Sequence, residues 1–280
     1  MIRIHILGTA AGGGLPQWNC TCANCVAARI GKIAPQTQSS IAISGDSGGR
    51  WFLINASPDL PRQIESMPRL QPHRDSLRNT PIAGVLLTNA DIDHALGLLH
   101  LRQQEIPLVV YATDETRTAL AWIDRVLSRF CGIEWRKINA DFQPLSSSLA
   151  FRAIELPKSV AFQCRDNPSG ATALFALSVG ELADELRNAV HTSELILFDG
   201  TFWSDGELGT VRLGARAARE MNHLPISDGS LDLLRQSPAR RKIYSHINNT
   251  NPILMPGTRE RARVEQAGIE IASDGLEIVI

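Results

Sequence analysis

Short runs rich in β-branched and aromatic residues alternate with amphipathic runs along the whole chain, and this alternation restricts the fold more than any other feature. Runs of the first kind predict strands and runs of the second kind predict helices. Strands interleaved with helices favour stacked α/β layers. Strands are predicted at residues 2–8, 39–44, 50–55, 82–88, 107–112, 133–138, 149–156, 171–178, 194–200, 241–247 and 269–280, and helices at 59–67, 114–130, 179–190, 212–221, 228–237 and 259–268.

No linker or internal repeat divides this pattern. At 280 residues with 44% hydrophobic residues, the chain can bury a substantial core. We therefore predict a single domain spanning residues 1–280.

The charge of the chain is close to balanced, with 28 Lys+Arg against 29 Asp+Glu and a formal net charge of -1. This balance gives no electrostatic reason to expect a nucleic acid or a membrane surface as a partner, so a small molecule or peptide is expected. No apolar run reaches the length of a spanning helix, and the N-terminal segment alternates like a strand. We expect a cytoplasmic protein.

Three of the five cysteines, Cys20, Cys22 and Cys25, fall close together. Thiolates at this spacing can converge on one ion, and a structural zinc takes four tetrahedral ligands, commonly sulfur. The alternative is three ordinary thiols, which is disfavoured because cysteines are scarce elsewhere in the chain. The sequence predicts a zinc loop at residues 20–25 whose fourth ligand is not nearby, while Cys131 and Cys164 are interpreted as small core residues.

A second cluster lies where the strand predicted at 82–88 gives way to a helix. Asp91, Asp93 and His94 offer two carboxylates and an imidazole, which together suit a divalent cation. Asp and Asn at a strand end are also ordinary helix N-caps and turn formers, so the stretch could simply begin a helix. The imidazole directly after two carboxylates favours the metal site.

Two histidines further along the chain have a similar double interpretation. His246 ends a predicted strand and precedes a polar, Pro-containing loop that could supply ligands, although a lone histidine there is more often merely hydrogen-bonded. His223 follows a predicted helix, where interaction with the helix dipole is the simpler explanation.

The glycine-rich run at residues 8–14 lacks both the GxGxxG spacing and the GK[ST] ending of phosphate-binding loops. It is interpreted as a tight turn that brings backbone close to the site, with Trp18 packing on the same loop.

Taken together, several stretches resemble the pyrroloquinoline quinone (PQQ) biosynthesis protein B family: GTAAGGGLPQWNCTCANC, TQSSIAIS, NASPDL, DIDHALGLLHLR, DGTFW, REMNHLPIS and HINNTNPIL. The resemblance extends from the first predicted strand to the last. It implies the metallo-β-lactamase fold, a four-layer αββα sandwich with metal-binding loops at one edge of two facing sheets. It also implies the ligands of two metal sites, which are Asp91, Asp93, His94 and His246 for the active-site metal and Cys20, Cys22 and Cys25 for the structural zinc. Asn249 stands where related cyclic phosphodiesterases place a fourth zinc-binding His.

The turn departs from the HxHxDH turn of hydrolases of this fold, because Asn89 and Asp91 replace the two leading histidines. Ser178 also stands in the region where a bridging Asp would be expected, so we infer one metal instead of two. Two imidazoles and up to two carboxylates around one ion resemble the ligand set of non-haem Fe(II) oxygenases. The resemblance implies hydroxylation, with Fe(II) and dioxygen, of the tyrosine-derived ring in a Glu–Tyr cross-linked, peptide-derived precursor.

His223 and Asp199 are the candidates for proton transfer, because the related phosphodiesterases place an acid-base His at the position of His223. Polar side chains at other strand ends are candidates for substrate binding, although each could equally cap a turn. They are Gln38, Ser39, Ser57, Asp59, Thr201 and Asn248.

The segment at residues 157–172 is shorter than in the family and is expected to form a loop bordering the pocket. Two other functions remain open, a metal-dependent hydrolase and a non-catalytic carrier of the finished quinone. The apolar helical faces leave room for a homodimer.

Overall fold

The computed structural model describes residues 1–45, 49–74 and 77–280, and within them two seven-stranded sheets face each other. The first sheet consists, in spatial order, of β14 (Glu277–Val279), β1 (Arg3–Gly8), β2 (Ser40–Ser44), β3 (Trp51–Ile54), β4 (Ile82–Leu86), β5 (Leu108–Ala112) and β6 (Ile133–Lys137). The second consists of β13 (Glu270–Ile271), β12 (Arg241–Ser245), β11 (Leu195–Asp199), β10 (Thr172–Ala176), β9 (Ser159–Asp166), β8 (Leu149–Leu156) and β7 (Gln143–Pro144). All eleven predicted strand segments contain a strand.

Helices cover the outer face of each sheet. They are α1 (Ala23–Arg29), α2 (Leu60–Ser66), α3 (Ile92–Ala95), α4 (Asp114–Ala119), α5 (Ala121–Leu127), α6 (Asp184–Thr192), α7 (Leu231–Gln236) and α8 (Arg259–Gln266). Leu60 of α2 and Ile123 of α5 pack on the first sheet. Leu186 of α6 and Val264 of α8 pack on the second. The result is a four-layer αββα sandwich.

The central core lies between the two sheets. Ile4 and Ile43 of the first sheet pack in one cluster with Phe151, Phe162 and Phe175 of the second. The rings of Phe151 and Phe162 meet edge to face with centroids 5.9 Å apart. Burial of such rings provides a large part of the apolar area that drives folding.

Each sheet has a parallel half, made of β3 to β6 in the first sheet and β10 to β13 in the second. Every residue of β11 is buried, as expected for a parallel strand covered on both faces. In layered α/β folds, ligands bind outside the carboxyl ends of such strands. The loops after β4, β11 and β12 therefore hold the candidate site.

The segment at residues 157–172 is not a loop, and this expectation was wrong. Residues Ser159–Asp166 form β9, which pairs along its whole length with β8. Polar side chains such as Gln163 obscured the strand in the sequence. In the structure Gln163 is buried but satisfied, because it accepts from Arg152 Nε at 2.8 Å and donates to Ser193 Oγ at 3.0 Å.

The helix predicted at residues 212–221 is also wrong, since only Arg219–Met221 form a short 3-10 turn there. Leu213 is fully exposed and Val211 about half exposed, so this segment has no buried apolar face to stabilise a helix. The helix predicted from residue 179 begins only at Asp184. Residues before it form a loop that contacts the site, with Val179 N bonded to Asp199.

The strand predicted at residues 269–280 is two strands, β13 and β14, which belong to different sheets. A turn at Gly275, whose φ of +85° suits glycine, carries the chain from one sheet to the other. Two smaller predictions also differ: the helix at 114–130 breaks into α4 and α5, and Trp18 is 85% exposed instead of packed. Cys164 is buried as predicted, whereas Cys131 is only partly buried.

Candidate metal centre

The side chains of Asp93, His94 and His246 converge between the two sheets. Asp93 and His94 lie on α3, directly after the loop that follows β4, and His246 is the first residue after β12. His246 has a φ of +56°, a left-handed conformation that is strained for a residue with a side chain. Backbone strain of this kind persists where the surrounding structure enforces it, which is common at functional sites.

The loop after β4 fixes the orientation of the His94 ring. His94 Nδ1 lies 2.6 Å from Asn89 Oδ1, and the orientation of the Asn89 amide is set by Asp91, whose N–H donates to the same Oδ1 and whose Oδ2 accepts from Asn89 Nδ2. Because Nδ1 faces an acceptor, it carries the proton. The Nε2 atom of His94 is therefore unprotonated, and its lone pair can bind a cation.

Hydrogen bonds also fix the ring of His246, through Thr201 and Asp199. His246 Nδ1 lies 2.8 Å from Thr201 Oγ1, which in turn donates to Asp199 Oδ1 at 2.5 Å. This chain places the proton of His246 on Nδ1 and leaves Nε2 as an acceptor. A histidine whose second nitrogen donates to an oxygen is the usual arrangement of a metal ligand.

The acceptor atoms of the three residues meet without a donor between them. His94 Nε2 and His246 Nε2 are 3.0 Å apart, and Asp93 Oδ2 lies 3.3 Å from the second and 3.7 Å from the first. Burial lowers the pKa of His94, which favours its neutral form. Two neutral imidazoles and a carboxylate facing one point fit a divalent cation.

Asp199 and His223 form a second buried pair beside the three ligands. His223 Nδ1 bonds to Asp199 Oδ2 at 2.7 Å, and the His223 ring stacks on that of His246 with centroids 5.5 Å apart. Burial alone would lower the pKa of His223, but the Asp199 carboxylate outweighs burial and raises it.

The carboxylate of Asp199 already accepts four hydrogen bonds, two on each oxygen. The donors are Thr201 N, Thr201 Oγ1, Val179 N and His223 Nδ1, at distances from 2.5 to 2.9 Å. A carboxylate offers about four lone-pair positions, so none is left for a second cation. The donor set therefore fits one metal ion at Asp93, His94 and His246.

Asp91 does not join this group, although it was predicted as a ligand. Its side chain is exposed, and the group of converging ligand atoms among the described residues comprises Asp93, His94 and His246 without it. The carboxylate of Asp91 instead accepts from Asn89 Nδ2 at 2.7 Å. Asp91 thus acts on His94 through Asn89.

The three clustered cysteines converge as predicted. Cys20, Cys22 and Cys25 bring their sulfur atoms within 4.8 Å of one another, and Asn249 Nδ2 lies 3.2 to 3.5 Å from all three. Burial raises the pKa of Cys25 to about 11, so a thiolate there requires a nearby positive charge. A zinc ion held by the three sulfurs would supply that charge. The Asn249 side chain lies beside them with its amide nitrogen toward the sulfurs.

Two of the residues predicted to bind substrate line a cavity. Gln38 and Asp59 border a cavity of about 400 Å³ beside the glycine-rich turn. The turn also approaches the metal centre, since a Cβ atom added to Gly12 would lie 3.6 Å from Asp93 Oδ2. The interpretation of this run as a turn close to the site is therefore confirmed.

The other four substrate-binding candidates are engaged within the protein or buried. Ser39 and Ser57 are fully buried, and Ser57 Oγ donates to Gln63 Oε1. Thr201 orients His246, as described above. Asn248 donates through its side chain to Thr250 Oγ1 at 2.5 Å.

Three residues that support the site had no predicted role. Asn89 was noted only as a missing ligand, and Thr88 and Asn55 were not considered. Asn55 Oδ1 accepts from both the backbone N–H and the hydroxyl of Thr88 at 3.0 Å. Asn55 itself has a φ of +62°. Asn tolerates this conformation better than most residues, and an Asn as the last residue of the strand predicted at 50–55 was the available signal.

The hairpin between β8 and β9 closes the space around the site. Ser159 Oγ donates to Ser178 O at 2.7 Å, and Val160 N donates to Thr88 O at 2.9 Å. Asn222 Nδ2, next to His223, donates to Pro157 O at 2.8 Å. The shortened segment thus borders the site as a tight hairpin that contacts three of its loops.

Among the described residues, none of the helices has both the length and the apolar composition of a transmembrane span.

Comparison with known proteins gives consistent relatives over the whole chain. A model of the β-lactamase superfamily domain matches residues 50–247. Coenzyme PQQ synthesis protein B of Cupriavidus taiwanensis is 39% identical and that of Ectopseudomonas mendocina 40% identical, each over 307 aligned residues that cover all of both chains. Because this chain has 280 residues, the alignments imply that these relatives contain insertions.

The crystal structure of Zn(2+)-bound PqqB from Methylobacterium extorquens has the same architecture. It is 35% identical, covers 99% of this chain and 100% of its own, and superposes with a TM-score of 0.90. The metallo-β-lactamase fold and the family resemblance inferred from the sequence are both confirmed. The chain belongs to the coenzyme PQQ synthesis protein B family of the β-lactamase superfamily.

Proposed function

We propose that this protein is a non-haem Fe(II)- and dioxygen-dependent hydroxylase in PQQ biosynthesis, acting on the tyrosine-derived ring of a Glu–Tyr cross-linked precursor. The observation that carries the proposal is the ligand set of Asp93, His94 and His246. Two imidazoles and one carboxylate that leave other coordination positions open are characteristic of non-haem Fe(II) oxygenases. Family membership supplies the pathway.

The residues around the ligands favour one metal ion. Hydrolases with two metals need additional ligands, whereas Asp199 is saturated by four hydrogen bonds and Ser178 carries no carboxylate. Iron bound at Asp93, His94 and His246 would supply the activation of dioxygen.

His223 is the residue best placed to move a proton during the reaction. Its Nδ1 is held by Asp199, so Nε2 is the atom available for exchange with a substrate hydroxyl. The Asp199 carboxylate raises the pKa of His223 against the opposing effect of burial, which favours the protonated ring. Asp199 positions the ring and stabilises its positive charge in the same way that a buried carboxylate orients a catalytic histidine.

The cysteine cluster would hold a structural zinc. Asn24 Nδ2, on α1, donates to Asn249 O and Asn251 O at 3.0 and 2.9 Å, which ties the cysteine segment to the loop that carries His246. Zinc bound here would secure the loop without taking part in the reaction.

The test is mass spectrometry of the Glu–Tyr cross-linked diamino acid after incubation with Fe(II)-loaded protein, with and without dioxygen. We expect incorporation of oxygen only when iron and dioxygen are both present. His246→Ala should abolish both iron binding and turnover, because it removes one of three ligands. Arg69→Met, a substitution at an exposed arginine outside the site, is the matched control.

A zinc-dependent hydrolase is a second candidate, favoured by the zinc that the Methylobacterium extorquens relative contains. It predicts turnover with Zn²⁺ under anaerobic conditions. If the diamino acid stayed unchanged after incubation with dioxygen and protein shown to contain iron, the hydroxylase proposal would be contradicted. Tight binding of the finished quinone that persists in His246→Ala would instead indicate a carrier.

A further inference from the structure

The cavity beside the glycine-rich turn lies next to the metal centre but shares none of its ligands. Gly12 backs onto the Asp93 carboxylate, whereas Gly13 and Gly14 line the cavity. Neighbouring Cα atoms are 3.8 Å apart, so Gly12 and Gly14 are separated by at most about 7.6 Å. The cavity therefore begins one short turn of backbone away from the Asp93 carboxylate.

The cavity contains a cationic group with no internal partner. Arg62, on α2, lines the cavity, is exposed, and makes no ion pair or hydrogen bond with the residues that the structure describes. A guanidinium binds a carboxylate through two parallel hydrogen bonds, which is a geometry that a lysine cannot provide.

One acceptor atom of the cavity has no donor among the described residues. Asp59 lines the cavity and accepts from Gln38 N and Nε2 at 2.9 and 3.1 Å, both on Oδ2, so Oδ1 is left for another donor. Gln36 also lines the cavity, but its Oε1 is buried away from solvent.

The walls of the cavity are held in place before any ligand binds. Asp274 accepts from Thr9 Oγ1 at 2.7 Å and from Thr37 N and Oγ1 at 2.7 and 2.8 Å, which fixes the segment leading to the glycine turn. Gln36 is fixed by backbone hydrogen bonds to Leu15 in both directions. Gly13 N donates to Gln38 Oε1 at 3.2 Å, which links the Asp59 side of the cavity to the turn.

We propose that this cavity binds the amino-acid end of the substrate, with the α-carboxylate on Arg62 and the α-ammonium group on Asp59 Oδ1. A cation and a free carboxylate oxygen complement a zwitterion better than a simple anion, because Asp59 would repel a second negative charge. The assignment rests on the proposed function, in which the substrate is an amino acid derived from a peptide and its ring lies at the metal centre.

The experiment is calorimetric titration of the zinc- and iron-containing protein with the Glu–Tyr diamino acid under anaerobic conditions, so that no turnover occurs. Arg62→Met should weaken binding roughly 10- to 100-fold, the loss expected for a hydrogen bond to a charged group. Arg69→Met should leave the affinity unchanged. An analogue with acetylated amines and esterified carboxylates should bind wild type and Arg62→Met equally.

A second variant separates ligand binding from folding. Asp59→Asn keeps the shape of the side chain and removes its charge, so we expect thermal stability close to wild type together with affinity at least several-fold weaker for the free diamino acid. Equal affinity of wild type and both variants for the diamino acid, or no binding by wild type, would overturn the proposal.

The two proposals can fail separately. Arg62-dependent binding without oxygen incorporation would leave the cavity assignment standing and remove the hydroxylase function. Hydroxylation with an unchanged KM in Arg62→Met would leave the hydroxylase function standing and remove the cavity assignment.

Discussion

At the scale of single residues, the site depends as much on the groups that orient the histidines as on the ligands. His94 and His246 each present Nε2 to the same point because an oxygen, from Asn89 or Thr201, engages Nδ1. Asn89 stands where related hydrolases have a ligating histidine. In this chain the position carries an amide that sets the protonation of His94 instead of an imidazole that could bind a metal.

Thr201→Val tests this arrangement. Valine keeps the shape of threonine but cannot accept from His246 Nδ1, so we expect metal affinity to fall about 10- to 100-fold, the usual effect of removing such a partner. Thr201→Ser retains the hydroxyl and should restore most of the affinity. Competition with a chromophoric chelator measures both variants. Equal affinity of the valine variant and wild type would show that another group sets the protonation of His246.

At the scale of elements, the sequence predicted correctly those strands and helices that a local residue pattern determines. β8 was predicted at its observed bounds, because its apolar residues form one clear run between turn signals. β9 was missed because Gln163 and Arg165 look like loop residues until their partners on other elements are known. The failed helix at residues 212–221 has the opposite cause, since its periodic apolar residues have nothing to pack against in the fold.

The candidate site shows the same difference between features set by local sequence and features set by contacts with other elements. Asp93, His94, His246 and the three cysteines could be found because ligand-type residues cluster at strand ends. The position of Asp91 outside the converging group could not, because it depends on a side-chain hydrogen bond to Asn89. The cavity was equally inaccessible, since residues from α2 and from three separate loops line it.

The short helical segment after the metal ligands provides a prediction at this scale. Residues Leu96–Gln103 form a 3-10 helix that packs closely on the end of β3, and a Cβ atom on Gly97 would lie only 2.3 Å from Ser57 O. Gly97→Ala should therefore lower the free energy of unfolding by about 1 to 3 kcal/mol, because the obstructing atoms are backbone. Gly209→Ala, also within a 3-10 turn, meets no atom within 4 Å and should be close to neutral.

Chemical denaturation of the two glycine variants measures this difference. If Gly97→Ala were as stable as Gly209→Ala, the segment after the metal ligands would have to shift without cost. Its distance from β3 would then not be a determinant of the position of His94.

At the scale of the whole molecule, the two candidate metal sites join parts of the chain that are distant in sequence. His94 follows a strand of the first sheet and His246 a strand of the second, so a metal bound between them connects the sheets. The cysteine cluster connects α1 to the loop after β12 through Asn249. The sequence gives the ligand types but not these pairings, which depend on how the sheets face each other.

Removal of zinc should therefore destabilise the whole protein. At free zinc about 1,000-fold above its dissociation constant, binding contributes about 4 kcal/mol, which corresponds to a rise in Tm of about 10 °C for a chain of this size. Zinc can also bind at Asp93, His94 and His246. The quantity that reports on the cysteine cluster is therefore the part of the zinc-dependent rise in Tm that is lost in Cys20→Ala. Cys131→Ala, outside the cluster, should retain the full zinc-dependent shift when Tm is followed by circular dichroism across a zinc titration. An identical dependence on zinc in Cys20→Ala and Cys131→Ala would show that the cysteine cluster does not bind the ion that stabilises the fold.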